Sequence, residues 1–274
     1  MAKYDMREGP CAALSTLTRL TTVGPETRNA VTVPSDCHSI KQIWGWHHNA
    51  GTDATGYVMG FRLSGLRYGN YDGAIGGWTA GTTVGNAGER KTMESLIINT
   101  NLAVMPGAEI WIEGCQVGGL DSGSPEAGIG LVFDQSEGEK RYGFVRWVAP
   151  TINVKTAAIN DLTTATAFGI KIPSDAKHIT SLCPVLGGIS IATVSGAAAN
   201  VRLEGGMPDG DFGMTCGGDS ALATTAGRCT GYFVTQQVPT DVKLSPGSIL
   251  NVYAEVVGTT WTNAYVGIAI EMGV

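Results

Sequence analysis

Hydrophobic and polar positions alternate along short segments of this chain, with the period of two that is typical of β-strands. The segment 109–115 alternates in this way, with Ile110 and Ile112 on one side, and the segment 250–256 repeats the pattern. Each segment follows a Pro-Gly pair, which favours a turn, and each precedes a polar stretch and a second apolar segment. We therefore predict a hairpin at both places, within 110–133 and within 250–271.

Several residue patterns occur twice, in the same order. The matched segments are 31–40 with 170–179, 62–65 with 202–205, 102–107 with 242–247, and 128–131 with 267–270. The offset is always 139 or 140 positions, much longer than the repeat of a solenoid, which is about 20–50 residues. The chain is therefore predicted to be a tandem duplication, and the charged interruption at 137–140 separates two domains, 1–136 and 137–274.

The same alternation predicts further strands in matched positions. They lie at about 30–33 and 168–172, 39–46 and 178–185, and 56–64 and 197–204. A long glycine-dense stretch follows in each copy, at 66–88 and 206–227, with Gly73 matched to Gly213 and Gly77 to Gly217. We predict irregular loops there, at one end of each domain, with a ligand-binding loop as the alternative.

Composition agrees with an all-β chain. There are 39 glycines and only 15% charged residues, whereas helical proteins are rich in Ala, Glu, Lys, Leu and Arg. Sequential strands in domains of this size favour two tandem β-sandwiches of jelly-roll-like type. A duplicated immunoglobulin-like sandwich is the alternative fold. Only 92–100 has a pattern that a helix could share.

Charge and targeting signals narrow the function. The net charge is −6, all of it in residues 1–139, and no basic run is present, so we expect no direct binding of nucleic acid. The first residues carry no apolar secretion signal, and the most apolar stretch, 185–201, is interrupted by glycine and serine, so we expect neither secretion nor a transmembrane helix.

The six cysteines show no zinc spacing and no matched position in the other copy. We expect buried thiols, and the pair Cys216 and Cys229, which flanks one glycine-rich stretch, is the one candidate disulfide. The sequence leaves open whether that bond forms.

Candidate metal and catalytic residues are few. His47 and His48 are neighbours on a predicted strand and so point to opposite faces, which favours a surface role over a shared metal. Asp209, Asp211 and Asp219 could form a calcium loop, but the first copy has no matching carboxylates. No acid, base and nucleophile converge by spacing, so we predict no catalytic residues, no cofactor, no metal site and no enzymatic activity.

Tryptophan is concentrated in the first copy. Trp44 and Trp46 share one face of a predicted strand, and Trp111 lies in another. We expect these side chains in the core or in a subunit contact, and a platform for sugar rings is the alternative.

The duplicated arrangement resembles the double jelly-roll major capsid proteins of icosahedral viruses, many of which enclose a membrane. The resemblance covers the whole chain and is carried by the paired Pro-Ser-Asp turns at 34–36 and 173–175, the Arg-Leu-x-Gly segments and the Pro-Gly turns. It implies a homotrimer of six similar lobes that tiles a shell, located in the virion, made in the host cytoplasm, and in contact with other virion proteins or a membrane beneath the shell. On this hypothesis residues 1–24 form an arm that reaches a neighbour. The rival hypotheses are a phage decoration, tail or spike protein and a tandem carbohydrate-binding module.

Overall fold

The computed structural model describes most of the chain as β-structure. The described residues are 3–10, 16–23, 25–48, 56–78, 96–117, 126–149, 154–164, 169–187, 197–218, 220–223, 228–231, 237–257 and 265–274. They form 22 strands and contain no helix, so no described segment is a helix of the length and hydropathy needed to span a membrane.

The first eleven strands build one sandwich. They are β1 (Lys3–Pro10), β2 (Thr18–Arg19), β3 (Thr22–Val23), β4 (Glu26–Thr27), β5 (Val31–Thr32), β6 (Ser39–His48), β7 (Gly56–Leu66), β8 (Gly69–Trp78), β9 (Leu96–Ala103), β10 (Glu109–Val117) and β11 (Glu126–Asp134). One sheet has the order β4-β3-β1-β11-β6-β9, and the other has the order β2-β10-β7-β8, with β5 also paired to β10.

The remaining strands build the second sandwich. They are β12 (Arg141–Val148), β13 (Thr156–Ala157), β14 (Ile170–Lys171), β15 (His178–Gly187), β16 (Ala197–Glu204), β17 (Phe212–Gly218), β18 (Ser220–Ala223), β19 (Arg228–Gly231), β20 (Val238–Lys243), β21 (Ile249–Val257) and β22 (Tyr265–Gly273). Its sheets have the orders β12-β22-β15-β20 and β13-β21-β16-β17, with β14 on β21, and β18 pairs only with β19.

The two sandwiches repeat one topology, so the structure confirms two tandem β-sandwiches related by internal duplication. The sheet β1-β11-β6-β9 corresponds to β12-β22-β15-β20, and β2-β10-β7-β8 corresponds to β13-β21-β16-β17. In both, the first and last main strands are neighbours and the chain passes repeatedly from one sheet to the other, which is the jelly-roll-like arrangement. Each sandwich has its own apolar core between its sheets, with Phe61 and Phe133 fully buried in the first and Leu182 and Ile268 in the second.

The predicted hairpins at the end of each copy are wrong. β10 pairs with β7, β5 and β2, whereas β11 pairs with β1 and β6, so the two strands belong to opposite sheets. β21 and β22 are separated in the same way. Alternation of apolar and polar residues identifies which face of a strand points to the core. Strands from opposite sheets of a sandwich share this alternation, so the pattern does not identify the strand to which each is hydrogen-bonded.

The predicted irregular loops are wrong over 69–78 and 212–218, which form strands, whereas 206–211 is irregular as predicted. Glycine-rich β8 pairs with β7 over most of its length, and β17 pairs with β16. Gly73 lies opposite Phe61, and a Cβ atom at Gly73 would come within 2.3 Å of the Phe61 ring, so the glycine makes room for a core side chain. Residues 79–88 and 224–227 of the predicted loops lie outside the described residues.

The predicted N-terminal arm and the helical option at 92–100 are wrong where the structure describes them, since both segments supply strands; residues 11–15 and 92–95 lie outside the described residues. β1 lies inside its sheet between β3 and β11, and its Arg7 is only 2% exposed. Residues 96–100 belong to β9, which pairs with β6.

Candidate functional site

The two sandwiches contact each other through unlike sheets. The outer face of β2-β10-β7-β8 in the first sandwich meets the outer face of β12-β22-β15-β20 in the second. We call this contact the interdomain interface. It is head-to-tail, because the sheet that the second sandwich uses is not the counterpart of the sheet that the first sandwich uses.

The centre of the interdomain interface is apolar and closely packed. Its buried residues are Ala74, Cys115, Val117, Val145, Trp147, Leu162, Cys183 and Ala269. Glycines allow the backbones to approach: a Cβ at Gly60 would lie 2.2 Å from Leu162, and one at Gly143 would lie 2.3 Å from the carbonyl oxygen of Asp72. Small side chains therefore set a narrow spacing between the two sheets.

One buried carboxylate joins both sandwiches at the edge of this cluster. Glu271 on β22 is 5% exposed, and its Oε2 accepts hydrogen bonds from the hydroxyls of Tyr71 (3.0 Å) and Thr100 (2.6 Å) in the first sandwich. Its Oε1 accepts one from Thr180 (2.8 Å) and lies 3.7 Å from the Arg141 guanidinium. Burial, and then the charge of Glu271, raise the pKa of Tyr71 well above its ordinary value, so the phenol stays a donor.

A second polar contact extends the interdomain interface to β9. The Asn99 backbone N–H donates to Gln237 Oε1 (2.8 Å), and Gln237 Nε2 donates to the Asn99 carbonyl (2.7 Å) and to Ser181 Oγ (3.1 Å). A cavity between Tyr71, Gln237 and Glu271 measures about 10 Å³, near the smallest volume that holds one water molecule. It is too small for a substrate, so this region serves to join the domains.

The counterpart of the β12-β22-β15-β20 surface in the first sandwich is the outer face of β1-β11-β6-β9. Among the described residues no other sheet is stacked on it, and it is aromatic. The Trp44 and Trp46 side chains lie over Gly130 and Gly128 of β11, where a Cβ would come within 1.9 Å and 2.2 Å of the indoles. Both indoles are half-buried. We call this surface the Trp face; its outward residues include Tyr4, Met6, Glu8, Trp44, Trp46, Ile97 and Val132. Tyr4 is 75% exposed and Ile97 is 50% exposed.

The counterpart of the β2-β10-β7-β8 surface in the second sandwich is the outer face of β13-β21-β16-β17. No other sheet of the described residues is stacked on it either, and it is polar. Asn200 Nδ2 donates to Glu255 (2.8 Å) and the Thr215 hydroxyl donates to Asn200 Oδ1 (2.8 Å). The Lys155 ammonium lies 4.2 Å from the centre of the Tyr253 ring. We call this surface the polar face; its outward residues are Asn200, Arg202, Thr215, Asn251, Tyr253 and Glu255.

The structure describes only part of the residues that the sequence singled out as candidate metal ligands. His47 and His48 lie in β6, and their side chains are outside the description. Asp211 Oδ1 accepts a hydrogen bond from the Gly205 N–H (3.3 Å), and Asp219 lies outside the described residues. Among the described residues, no three His, Cys, Asp or Glu side chains are grouped closely enough to hold a metal ion.

The expected buried thiols are confirmed for three cysteines. Cys37, Cys115 and Cys183 are buried and not bridged to another cysteine. Burial raises the pKa of Cys115 to about 12, so this thiol is a poor nucleophile. Cys216 lies in β17 and Cys229 in β19, and their side chains are outside the description.

Sequence reasoning missed Glu271 and its partners. Tyr71 and Glu271 are 200 residues apart and meet only because the two sandwiches pack together, so no local pattern could reveal them. It also missed one arginine in each copy, the buried Arg7 and the partly buried Arg146, although their offset of 139 positions was a usable signal.

Comparisons with known proteins identify no family. No protein-family model matches the sequence, and no curated protein does. Among solved structures, two similar chains are a peptide-N(4)-(N-acetyl-beta-D-glucosaminyl) asparagine amidase and PNGase F, a glycosylasparaginase from Flavobacterium meningosepticum. They are 11% and 13% identical, with TM-scores of 0.37, and cover 99% and 98% of this chain and 96% of their own chains. The PBSX exported protein XepA is 12% identical with a TM-score of 0.17, and covers 96% of this chain and 88% of its own. Similarity at this level carries no functional argument.

Proposed function

We propose that this chain is a structural building block, a viral major capsid protein whose double jelly roll forms a homotrimer with six similar lobes that tiles an icosahedral shell. The observation that carries the proposal is the head-to-tail interdomain interface. A head-to-tail contact joins two different surfaces. Two units joined in this way still have one free surface of each kind, one at each end of the pair. Within one chain, those open surfaces are the Trp face and the polar face.

Repeating a head-to-tail contact gives a closed ring when the rotation closes, and an open filament when it does not. Six sandwiches related by similar contacts make a ring of three duplicated chains. Such a trimer fills a six-fold position in a lattice while it keeps true three-fold symmetry. The two sandwiches of a chain can then differ in sequence, which lets the lobes meet different neighbours.

The chemistry of the described residues supports a structural role over an enzymatic one. The buried groups at the interdomain interface are held by hydrogen bonds between the domains rather than aimed at a cavity that could admit a substrate. We therefore propose no catalytic residue, cofactor or metal. The partners that the proposal implies are further copies of this chain and other proteins or a membrane of the virion, with the net charge of −6 disfavouring the genome as a direct partner.

Electron microscopy of the purified chain tests the proposal. Class averages of negatively stained particles should show a six-lobed ring with three-fold symmetry, or closed shells. Single two-lobed particles at every protein concentration tested would contradict it. Particles that bind only to a preformed virion, without closing a ring, would favour the decoration or spike hypothesis.

The carbohydrate-binding hypothesis is the second candidate, because two half-buried indoles on one strand face offer flat surfaces on which sugar rings stack. A glycan array with the isolated chain tests it. Specific binding that is lost in Trp44→Ala would support this function, and binding of no glycan would exclude the sugar classes on the array.

A further inference from the structure

We propose that the Trp face of one chain binds the polar face of the second sandwich of another chain. This inference rests on the proposed function, since it identifies the surface through which three chains close their ring. The occupant of the Trp face is thus a second copy of the same protein.

The interdomain interface supplies the template. Within the chain, the sheet β12-β22-β15-β20 is already seated on the sheet β2-β10-β7-β8. The Trp face is the counterpart, in the first sandwich, of the outer face of β12-β22-β15-β20. The polar face is the counterpart, in the second sandwich, of the outer face of β2-β10-β7-β8. The pairing that the fold makes once inside the chain is therefore available once more between chains.

The side chains show that the second contact is wider than the first. The tight contact uses small residues at Gly143 and Cys183, whereas the Trp face has Tyr4 and Trp44 at the corresponding strand positions. Two large aromatic side chains hold facing backbones farther apart than a glycine and a cysteine can. The ring therefore alternates a narrow, apolar contact inside each chain with a wider, aromatic contact between chains.

The polar face has the chemistry to cover the half-buried indoles of the Trp face. Arg202 is exposed and lies opposite Gly213, whereas its counterpart Arg62 is held by two hydrogen bonds to Asp72 (2.6 and 2.7 Å). A guanidinium that is not tied to a carboxylate across the strand can stack on an indole, which cations favour. Tryptophan, tyrosine and arginine are the residues that most often dominate binding at protein interfaces.

The charge split between the copies fits this arrangement. With the boundary between residues 136 and 137, the first sandwich carries 9 Lys and Arg against 13 Asp and Glu, a net charge of −4, and the second carries 9 against 11, a net charge of −2. A contact between unlike halves of two chains therefore has less charge repulsion than a contact between two first halves would have. This argument disfavours a two-fold dimer in which two Trp faces meet.

Photo-crosslinking tests the assignment directly. Benzoylphenylalanine replaces Ile97, which is 50% exposed on the Trp face, and isotopically light and heavy chains are mixed so that crosslinks between chains are distinguished by mass. We expect inter-chain crosslinks to peptides within 199–215 or 249–257. Crosslinks to the Trp face of the other chain, or to neither sandwich face, would overturn the inference.

A charge variant gives an independent test. Trp44→Glu together with Trp46→Glu should weaken trimer formation at least 100-fold, while each chain keeps the far-ultraviolet circular dichroism of the wild type. The control is Met105→Glu, which places one glutamate on an apolar residue that is 50% exposed and lies outside the Trp face, and it should leave the trimer intact.

The outcomes separate this inference from the proposed function. A wild-type chain that is always monomeric contradicts the proposed function itself. A wild-type trimer that survives the double tryptophan variant, or that crosslinks elsewhere, overturns only the assignment of the Trp face. If the double tryptophan variant remains a trimer but no longer binds an oligosaccharide that the wild type binds, the indoles serve sugar binding, and the assignment of the Trp face to the contact between chains is overturned.

Discussion

Arg7 and Arg146 occupy equivalent positions in the two sandwiches and have the same structural role. The Arg7 guanidinium donates to the carbonyls of Met6 and Ala30, and that of Arg146 donates to Val145 (2.8 Å) and Gly169 (3.5 Å). The second acceptor lies in each case immediately before β5 or β14, strands that belong to the opposite sheet. Each arginine therefore ties the two sheets of its sandwich together, and burial lowers the pKa of Arg146.

Arg7→Met should lower the free energy of unfolding by about 2 kcal/mol, because the charge-assisted hydrogen bonds to backbone carbonyls are lost. Urea titration followed by circular dichroism measures the change. Arg28→Met is the control: Arg28 is exposed and paired only with Glu26, so its loss should be within about 0.5 kcal/mol. An equal fall in the free energy of unfolding in the two variants would show that the buried hydrogen bonds of Arg7 stabilise the fold no more than the exposed ion pair of Arg28 does.

Gly73 and Gly213 are matched in the sequence but have different roles in the structure. Gly73 lies under the buried Phe61 ring, whereas Gly213 lies opposite Arg202 with its nearest atoms 3.9 Å from a Cβ. Gly73→Ala should therefore destabilise the protein by about 1–3 kcal/mol through overpacking, while Gly213→Ala should be neutral or slightly stabilising. Thermal unfolding of both variants checks this, and a similar fall in Tm for both would contradict the account of β8.

At the level of elements, the two Pro-Ser-Asp turns are fastened in the same way to the strand that begins each sandwich. Asp36 accepts hydrogen bonds from Lys3 at the start of β1 and from Gln135 (2.8 Å). Asp175 accepts them from Lys140 (2.6 Å) and from Tyr142 (2.7 Å) of β12. The hydrogen bond from Lys3 is the main cause that lowers the pKa of Asp36 to about 2.

Lys3→Met should raise the pKa of Asp36 from about 2 towards its ordinary value of 3.8. Because the folded-state pKa is the lower one, ionised Asp36 stabilises the fold above pH 3.8, and this contribution disappears as the pH falls through about 2. The variant should therefore lose part of the acid-dependent stability. Titration of the Asp36 carboxyl by NMR measures the pKa, with Lys41→Met as the control that should leave it unchanged; an unshifted pKa in Lys3→Met would refute the pairing.

The elements that the sequence predicted well are those set by local pattern and by the repeat. The strands β6 and β7 and their counterparts β15 and β16 appear within a few residues of their predicted bounds, because alternation and a 139-residue offset mark the same positions twice. Strand partners could not be predicted, since β10 and β11 alternate alike but belong to opposite sheets. Glycine-rich β8 was predicted as a loop because glycine usually weakens a strand. The glycine at position 73 is explained by the Phe61 side chain on the neighbouring strand, which occupies the space that a Cβ would need.

At the level of the whole molecule, the two sandwiches are joined by a contact that local pattern does not reveal. Glu271 collects hydroxyl donors from residues 71, 100 and 180, which three different strands supply. Since the carboxylate is buried, its donors are needed to offset the loss of water. The sequence could indicate that there are two sandwiches, but their relative placement depends on complementary surfaces that form only after each has folded.

Tyr71→Phe should lower the free energy of unfolding by about 2 kcal/mol, because a hydrogen bond to a buried carboxylate is lost. Scanning calorimetry measures the loss and also shows whether the sandwiches begin to melt separately. Tyr68→Phe is the control, since Tyr68 is 44% exposed, and it should change stability little. If both variants match the wild type, Glu271 does not hold the sandwiches together.

The central claim is that this duplicated chain is a unit of assembly that closes three-fold. Its most direct test is the molar mass of the purified protein in solution, measured by multi-angle light scattering on a size-exclusion column over a range of concentrations. The account predicts a species of three times the chain mass of 28.5 kDa, or closed shells built from it. A single species of 28.5 kDa at every concentration would contradict it.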